Sequence, residues 1–210
     1  MARVLTITLN PALDLTVRLG HLAPGEVNRS PLMLTHAAGK GVNVAQVLAD
    51  LGHTLTVSGF LGEDNQQAFD ALFKRRGFVD AFIRVPGETR INIKLAEDDG
   101  RVTDLNGLGP QVSAQAQQAL LDTLDQIAVG HDAVVVAGSL PQGISPQWLR
   151  DLVLRLKALG LKVILDTSGQ ALKEGLTAGP WMIKPNTEEL SDALGRDISS
   201  LEAQIAAASR

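Results

Sequence analysis

Five short apolar runs, at residues 4–9, 55–60, 133–137, 162–165 and 181–184, alternate with stretches of helical period at 42–51, 65–76, 114–127, 146–159 and 171–176. Runs this short and rich in Val, Ile and Leu read as strands buried on both faces. Strands that alternate with helices close into a parallel sheet with helices packed on either side, which sets the fold class as α/β. Several helix starts are marked. Asp64 and Gln67 have capping-box spacing, as do Ser199 and Glu202, and Ser145 before Pro146 pairs an N-cap with proline at the first helical position.

Two stretches break this rhythm. Residues 13–35 are rich in Pro, Gly and turn formers without helical period. Residues 83–106 read as a hairpin, in which 90–95 alternate strictly, Asp98-Asp99-Gly100 turns, and 101–106 return. The expected organisation is an α/β core from 1–12, 36–82 and 107–210, with 13–35 and 83–106 forming a small β lid.

Composition narrows the partners. Formal net charge is −4 with no basic block, which argues against nucleic acid or an anionic membrane surface. There is no cysteine, so disulfide and thiolate chemistry are excluded and a cytoplasmic location is expected. The amino terminus, MARVLTITLNPALD, lacks a signal-peptide pattern, and no run has the roughly 18 apolar residues of a membrane span. Aromatic residues are 3% of the chain, so the core must be aliphatic.

The most chemically suggestive segment is HAAGKGVNVAQVLADLG at 36–52. Gly39 and Gly41 permit a tight turn and close backbone approach. The following helix start offers free N–H groups and positive dipole, to which Lys40 adds charge and Asn43 an amide. Val42, Ala45, Leu48, Ala49 and Leu51 supply its apolar face. Asp14, after the first strand, lies where ligands sit in parallel α/β sheets and can accept hydrogen bonds from hydroxyls; a turn-forming role suits it equally. Gly138 and Ser139 follow the AVVVA strand onto the same rim.

On the hairpin strand, period two places Arg90, Asn92 and Lys94 on one face, either as an anion site or as a solvated surface. Lys184-Pro185-Asn186-Thr187-Glu188-Glu189 follows the last strand. Asn186 and Glu189 have the spacing of a capping box, or would orient a hydrated Mg²⁺ while Lys184 neutralises phosphate. The four histidines, at 21, 36, 53 and 131, have no metal-ligand spacing and read as surface or loop residues.

Taken in order, NPALD, AAGKGVNVAQVLADLG, GFLGEDN, TRINIK, VTDLNG, AGSLP, LDTSG and KPNTEE resemble the blocks of the PfkB branch of ribokinase-like carbohydrate kinases. The resemblance spans nearly the whole chain. It implies a three-layer core with a mostly parallel sheet, a β lid, and a homodimer formed through two lids. It also implies ATP and Mg²⁺ as cofactors and a sugar phosphate as the acceptor. Within the family, GFLGEDN, TRINIK and VTDLN look most like the branch that phosphorylates fructose 1-phosphate at O6 to fructose 1,6-bisphosphate. The tagatose 6-phosphate and fructose 6-phosphate kinases are near relatives. Carried over by motif, Asp14, Gly39, Lys40 and Asn43 would hold the sugar. Arg90 would grip its phosphate, helped by Asn92 and Ser139. Lys184, Asn186 and Glu189 would serve the nucleotide and metal.

One block is missing. The family's second signature is Gly-Ala-Gly-Asp, whose Asp is the catalytic base, and this chain contains no Gly-Asp dipeptide. Asp14 and Asp166 are the obvious rim carboxylates, and neither has that signature's anion-hole context. The expectation is a kinase chain lacking the family's C-terminal third and catalytically inactive by itself. A non-catalytic sugar-phosphate-binding module is the alternative. A nucleoside kinase fits less well, because its acceptor carries no phosphate to need Lys40 and a cationic lid.

Overall fold

The computed structural model describes residues 1–208. Its first half runs β1 (Arg3–Thr8), β2 (Ala12–Leu19), β3 (Leu32–Ala38), α1 (Lys40–Asp50), β4 (Thr54–Gly62), α2 (Gln67–Arg76), β5 (Val79–Val85), β6 (Ile91–Glu97) and β7 (Val102–Asn106). The second half runs α3 (Ala114–Ile127), β8 (Ala133–Ala137), α4 (Pro146–Ala158), β9 (Lys162–Asp166), α5 (Gly169–Thr177), β10 (Met182–Ile183), α6 (Thr187–Leu194) and α7 (Leu201–Ala208).

Six strands form one parallel sheet in the order β10-β9-β8-β1-β4-β5. Its strands are apolar on both faces because both are covered. Leu5 and Ile7 of β1 pack with Leu120 and Leu124 of α3 and with Leu149, Leu152 and Leu156 of α4. Val4 and Val57 face the opposite way, toward Val42 and Ala45 of α1 and Phe69, Leu72 and Phe73 of α2. The result is the expected three-layer α/β architecture. As expected, the core is mainly aliphatic; Phe69, Phe73, Phe78 and Phe82 gather on the α1/α2 side, where Phe73 stacks on Phe82 with ring centroids 5.5 Å apart, and Phe60 lies in the opposite layer.

The second sheet has four strands in the order β3-β2-β6-β7. β2 pairs antiparallel with β3 and parallel with β6, and β6 turns back into β7 as the hairpin pattern predicts. Register follows from period two. Leu13 lies opposite Ile91 and Leu15 opposite Ile93, while Asp14 lies opposite Asn92 and Thr16 opposite Lys94. On β2 and β6 one face is therefore apolar and the other polar, and Leu32, Leu34 and Val102 of the flanking strands share the polar side. The chain passes between core and lid four times: from β1 to β2, β3 to α1, β5 to β6, and β7 to α3.

Several local expectations are corrected. Residues 83–85 belong to β5 in the large sheet, and residues 36–38 to β3 in the small one. Helix α2 begins at Gln67 behind Gln66, with no side-chain cap. The Asp64–Gln67 box does not form, because Asp64 is held in a turn by its N–H bond to the Gly87 carbonyl at 3.1 Å. At α7, Ser200 Oγ rather than Ser199 accepts from a first-turn N–H, that of Ala203, at 3.2 Å; Ser199 is turned to Asp197. Leu51 is 68% exposed and adds nothing to the buried face of α1, which ends one residue earlier. The Ser145–Pro146 start is as expected, with Ser145 Oγ accepting from Trp148 N–H at 3.1 Å. Among the histidines, His36 lies in β3, and half-buried His131 makes a 2.9 Å bond with Thr56 Oγ1.

Candidate active site at the sheet's switch point

β1 has β4 on one side and β8 on the other, and the chain fills the sheet outward from it in both directions. At such a reversal the loops after neighbouring strands splay apart, leaving a crevice beyond their carboxyl ends. At this end of the sheet lie Asn10 after β1 and Gly138 and Ser139 after β8. Asn10, nearly buried, donates from Nδ2 to Ser139 Oγ at 3.2 Å, Leu108 O at 3.3 Å and Leu140 O at 3.4 Å.

The GKG turn seats the start of α1 against this rim. Gly39 has φ 129°, and a Cβ there would lie 2.8 Å from Thr8 Cγ2 and 3.1 Å from Pro11 Cα. A Cβ on Gly41 would fall 2.4 Å from Thr8 Oγ1. Only glycine lets the helix start come this close to β1. No side chain caps α1, which leaves its first N–H groups and the positive end of its dipole without a side-chain acceptor. Lys40 is its first residue, and Asn43 lies exposed in its first turn.

Lys40 does not stand alone. Its Nζ lies 2.9 Å from Asp166 Oδ1, and Lys184 Nζ lies 3.1 Å from Oδ2 of the same carboxylate. Asp166 ends β9 and Lys184 follows β10, so three rim turns meet at one buried carboxylate. This arrangement joins the residue expected on the sugar side, Lys40, to the one expected on the nucleotide side, Lys184.

The polar face of the lid brings in Asp14 and Asn92. Asn92 Nδ2 donates to Asp14 Oδ1 at 3.1 Å, while its own Oδ1 is buried without a partner. They line a hollow of about 300 Å³ with Thr16, His36, Lys94, Asp104 and Asn106. Arg90 is not on that face. It precedes β6, and its guanidinium turns toward the core, donating to the carbonyls of Asn10 at 3.1 Å, Pro11 at 3.3 Å and Gly107 at 3.2 Å. It borders a separate groove of about 720 Å³ between the β5–β6 and β7–α3 loops. Burial draws its pKa below the ordinary arginine value, and the Asp14 carboxylate partly opposes this. The expected Arg90–Asn92–Lys94 stripe is thus reduced to Asn92 and Lys94, because the strand begins after Arg90.

Asn186 and Glu189 form a complete capping box at α6. Asn186 Oδ1 accepts from Glu189 N–H at 2.8 Å, and Glu189 Oε2 accepts from Asn186 N–H at 2.9 Å. No group of three or more metal-ligating side chains occurs among the described residues. The donors suit an ion that keeps most of its waters, as Mg²⁺ does, since the box leaves Glu189 its second carboxylate oxygen. Asp166 is the residue whose role sequence reasoning missed. LDTSG marks it as a rim carboxylate, but no spacing rule links it to lysines on two other turns. The polar partners on β3 and β7, His36 and Asn106, become visible only once the lid register is known.

A family model described as pfkB family carbohydrate kinase matches residues 7–210. The chain is 52% identical over 207 residues to a 1-phosphofructokinase of Vibrio cholerae, covering 98% of this chain and 65% of the relative. It is 46% identical over 207 residues to the 1-phosphofructokinase of Escherichia coli K12, covering 98% of this chain and 66% of the relative. Among solved structures, Escherichia coli phosphofructokinase-2 in complex with fructose-6-phosphate superposes with TM-score 0.87 at 25% identity, over 100% of this chain and 69% of that one. A possible 1-phosphofructokinase from Thermotoga maritima gives TM-score 0.87 at 26% identity, over 99% and 68%. The chain thus spans about two thirds of the length of the proteins it matches.

Proposed function

Because the chain belongs to the pfkB family of carbohydrate kinases, we propose that its rim is the sugar-phosphate and phosphoryl-transfer side of an ATP-dependent kinase acting on O6 of fructose 1-phosphate. The observation that carries this reading is the convergence of Lys40 and Lys184 on one rim position, beside an uncapped helix start. Transfer between two anionic partners depends mainly on positioning and on neutralising charge, and this is the chemistry those groups offer.

In this reading Asp14 and Asn92 accept and donate to the sugar hydroxyls. Lys40 and the first amides of α1 face the phosphate being transferred, with Gly39 giving the room and Asn43 and Ser139 closing the rim. Arg90, already charged and half-buried, takes the phosphate on the acceptor. Lys184 addresses the nucleotide phosphates, and Glu189 with Asn186 orients the waters of Mg²⁺ that arrives with ATP. That ion neutralises charge between the nucleotide phosphates. Two subunits would clasp through their lids, the exposed Met33, Ile91 and Leu105 of the apolar face meeting their copies.

The acceptor hydroxyl must lose its proton to a base. Asp166 is held by two lysines and Asp14 Oδ1 accepts from Asn92, and we assign neither rim carboxylate as that base. We therefore take the 210-residue chain to bind without turning over, which keeps a sugar-phosphate-binding role as the second reading. Calorimetric titration with fructose 1-phosphate, fructose 6-phosphate, tagatose 6-phosphate and ATP-Mg²⁺ tests both. Selective binding of fructose 1-phosphate is expected. Failure of a folded chain to bind any sugar phosphate overturns the assignment, and measurable turnover overturns the inactivity.

A further inference from the structure

Asp166 is the last residue of β9, and its side chain is only 7% exposed. A carboxylate at that depth is costly to keep ionised unless it is paired. Two ammonium groups reach in to it from outside, on side chains 48% and 65% exposed, one to each oxygen. Neither lysine has another carboxylate partner among the described residues. A lysine is a point charge on a flexible stem, so nothing in its own chain fixes where the charge sits. The shared carboxylate does, because it offers two oxygens on one centre, as a phosphoryl group does.

We propose that Asp166 is an internal stand-in for phosphate. It holds the Lys40 and Lys184 ammonium groups at the separation a bound phosphate requires, and a polyphosphate anion binds by competing with it for both. The inference rests on reading this rim as a phosphate-handling site. Asp166 is then a positioning residue, and it also raises the threshold for entry. A monoanion with a single weak contact does not displace a buried carboxylate from two lysines, whereas a multiply charged phosphate does. The gradient of exposure suits this exchange, since the lysine stems already reach solvent and the core need not open.

The test is calorimetric titration of the 210-residue chain with inorganic tripolyphosphate, without metal, for the native protein and for Asp166→Asn, Lys40→Met and Lys184→Met. Each lysine variant is expected to weaken binding by about tenfold or more, the scale of one charge-assisted contact. Asp166→Asn is expected to tighten it several-fold, or to create binding where the native chain has none, because the competitor is gone. Equal or weaker binding by a folded Asp166→Asn protein overturns the proposal, as does absence of binding in both.

Should the amide variant fail to fold by circular dichroism, NMR of the native protein decides. The Asp166 carboxyl carbon must shift during the titration with the same midpoint as the two lysine ammonium signals, and a static carboxyl signal overturns the proposal. Fructose 1-phosphate titrated into the same samples separates the two claims. Sugar-phosphate binding with no Asp166 effect removes only the stand-in. An Asp166 effect without sugar-phosphate binding removes only the acceptor assignment.

Discussion

The side-chain amide of Asn10 donates to the hydroxyl of Ser139 at 3.2 Å, tying the loop after β1 to the loop after β8 across the mouth of the crevice. The same nitrogen also serves the carbonyls of Leu108 and Leu140. Asn10→Ala strands these acceptors in a nearly buried site. A loss of about 1–3 kcal/mol is expected in chemical denaturation. Ser139→Ala, on an exposed residue, should cost far less, and equal losses would refute the assigned hierarchy.

Gly39→Ala and Gly41→Ala should fail for different reasons. The first meets Thr8 and Pro11 while also forcing a side chain to φ 129°, and the second drives a methyl into Thr8 Oγ1. Either shift moves the start of α1 away from the rim. Sugar-phosphate affinity is expected to fall with stability in both. A stable Gly41→Ala protein with native affinity would show that close approach to β1 is not needed.

Arg90 has a structural load as well as a proposed ligand. Arg90→Ala should weaken sugar-phosphate binding by about 1.5–3 kcal/mol if it makes a charge-assisted bond there. It should also lower the melting temperature, since three backbone carbonyls lose their donor. Arg90→Lys restores charge but not the fork, so it should recover little of the stability. Loss of stability with unchanged affinity would assign Arg90 to the fold alone.

The capping box at α6 allows fold and metal roles to be separated. Asn186→Ala removes the cap and should cost about 1 kcal/mol. Glu189→Gln keeps an acceptor for the Asn186 N–H and should leave stability nearly unchanged. If Glu189 also orients hydrated Mg²⁺, this variant weakens ATP binding in the presence of Mg²⁺ and not in its absence. Equal weakening in both conditions would remove the metal role.

The parallel sheet was legible because its central strands, covered on both faces, carry uninterrupted apolar runs such as VLTIT and AVVVA. β5 was not, because VDAFIRV lies at the sheet edge and carries an exposed Asp80 and a partly buried Arg84, which satisfy each other in an ion pair at 2.6 Å. The hairpin of the lid showed through its alternation, yet its first residue departs from the pattern. Arg90 fits the period but turns inward to unpaired carbonyls, a demand set by loops far away in the chain. Glycines, caps and single rim residues follow local rules and could be named in advance. The junction of Lys40, Asp166 and Lys184 could not, because it exists only when β9 and β10 are laid beside each other.

The lid joins the core through four short crossings, all at the end of the large sheet where the crevice opens. A plate mounted along one margin keeps a single easy axis, a swing toward or away from that margin, while sliding and twisting strain several connections at once. Asp14 lies just beyond one mount, Gly39 forms another, and Arg90 anchors a third to Asn10 and Pro11. A small rotation of the plate would thus carry Asp14, Gly39 and Arg90 through the same angle together.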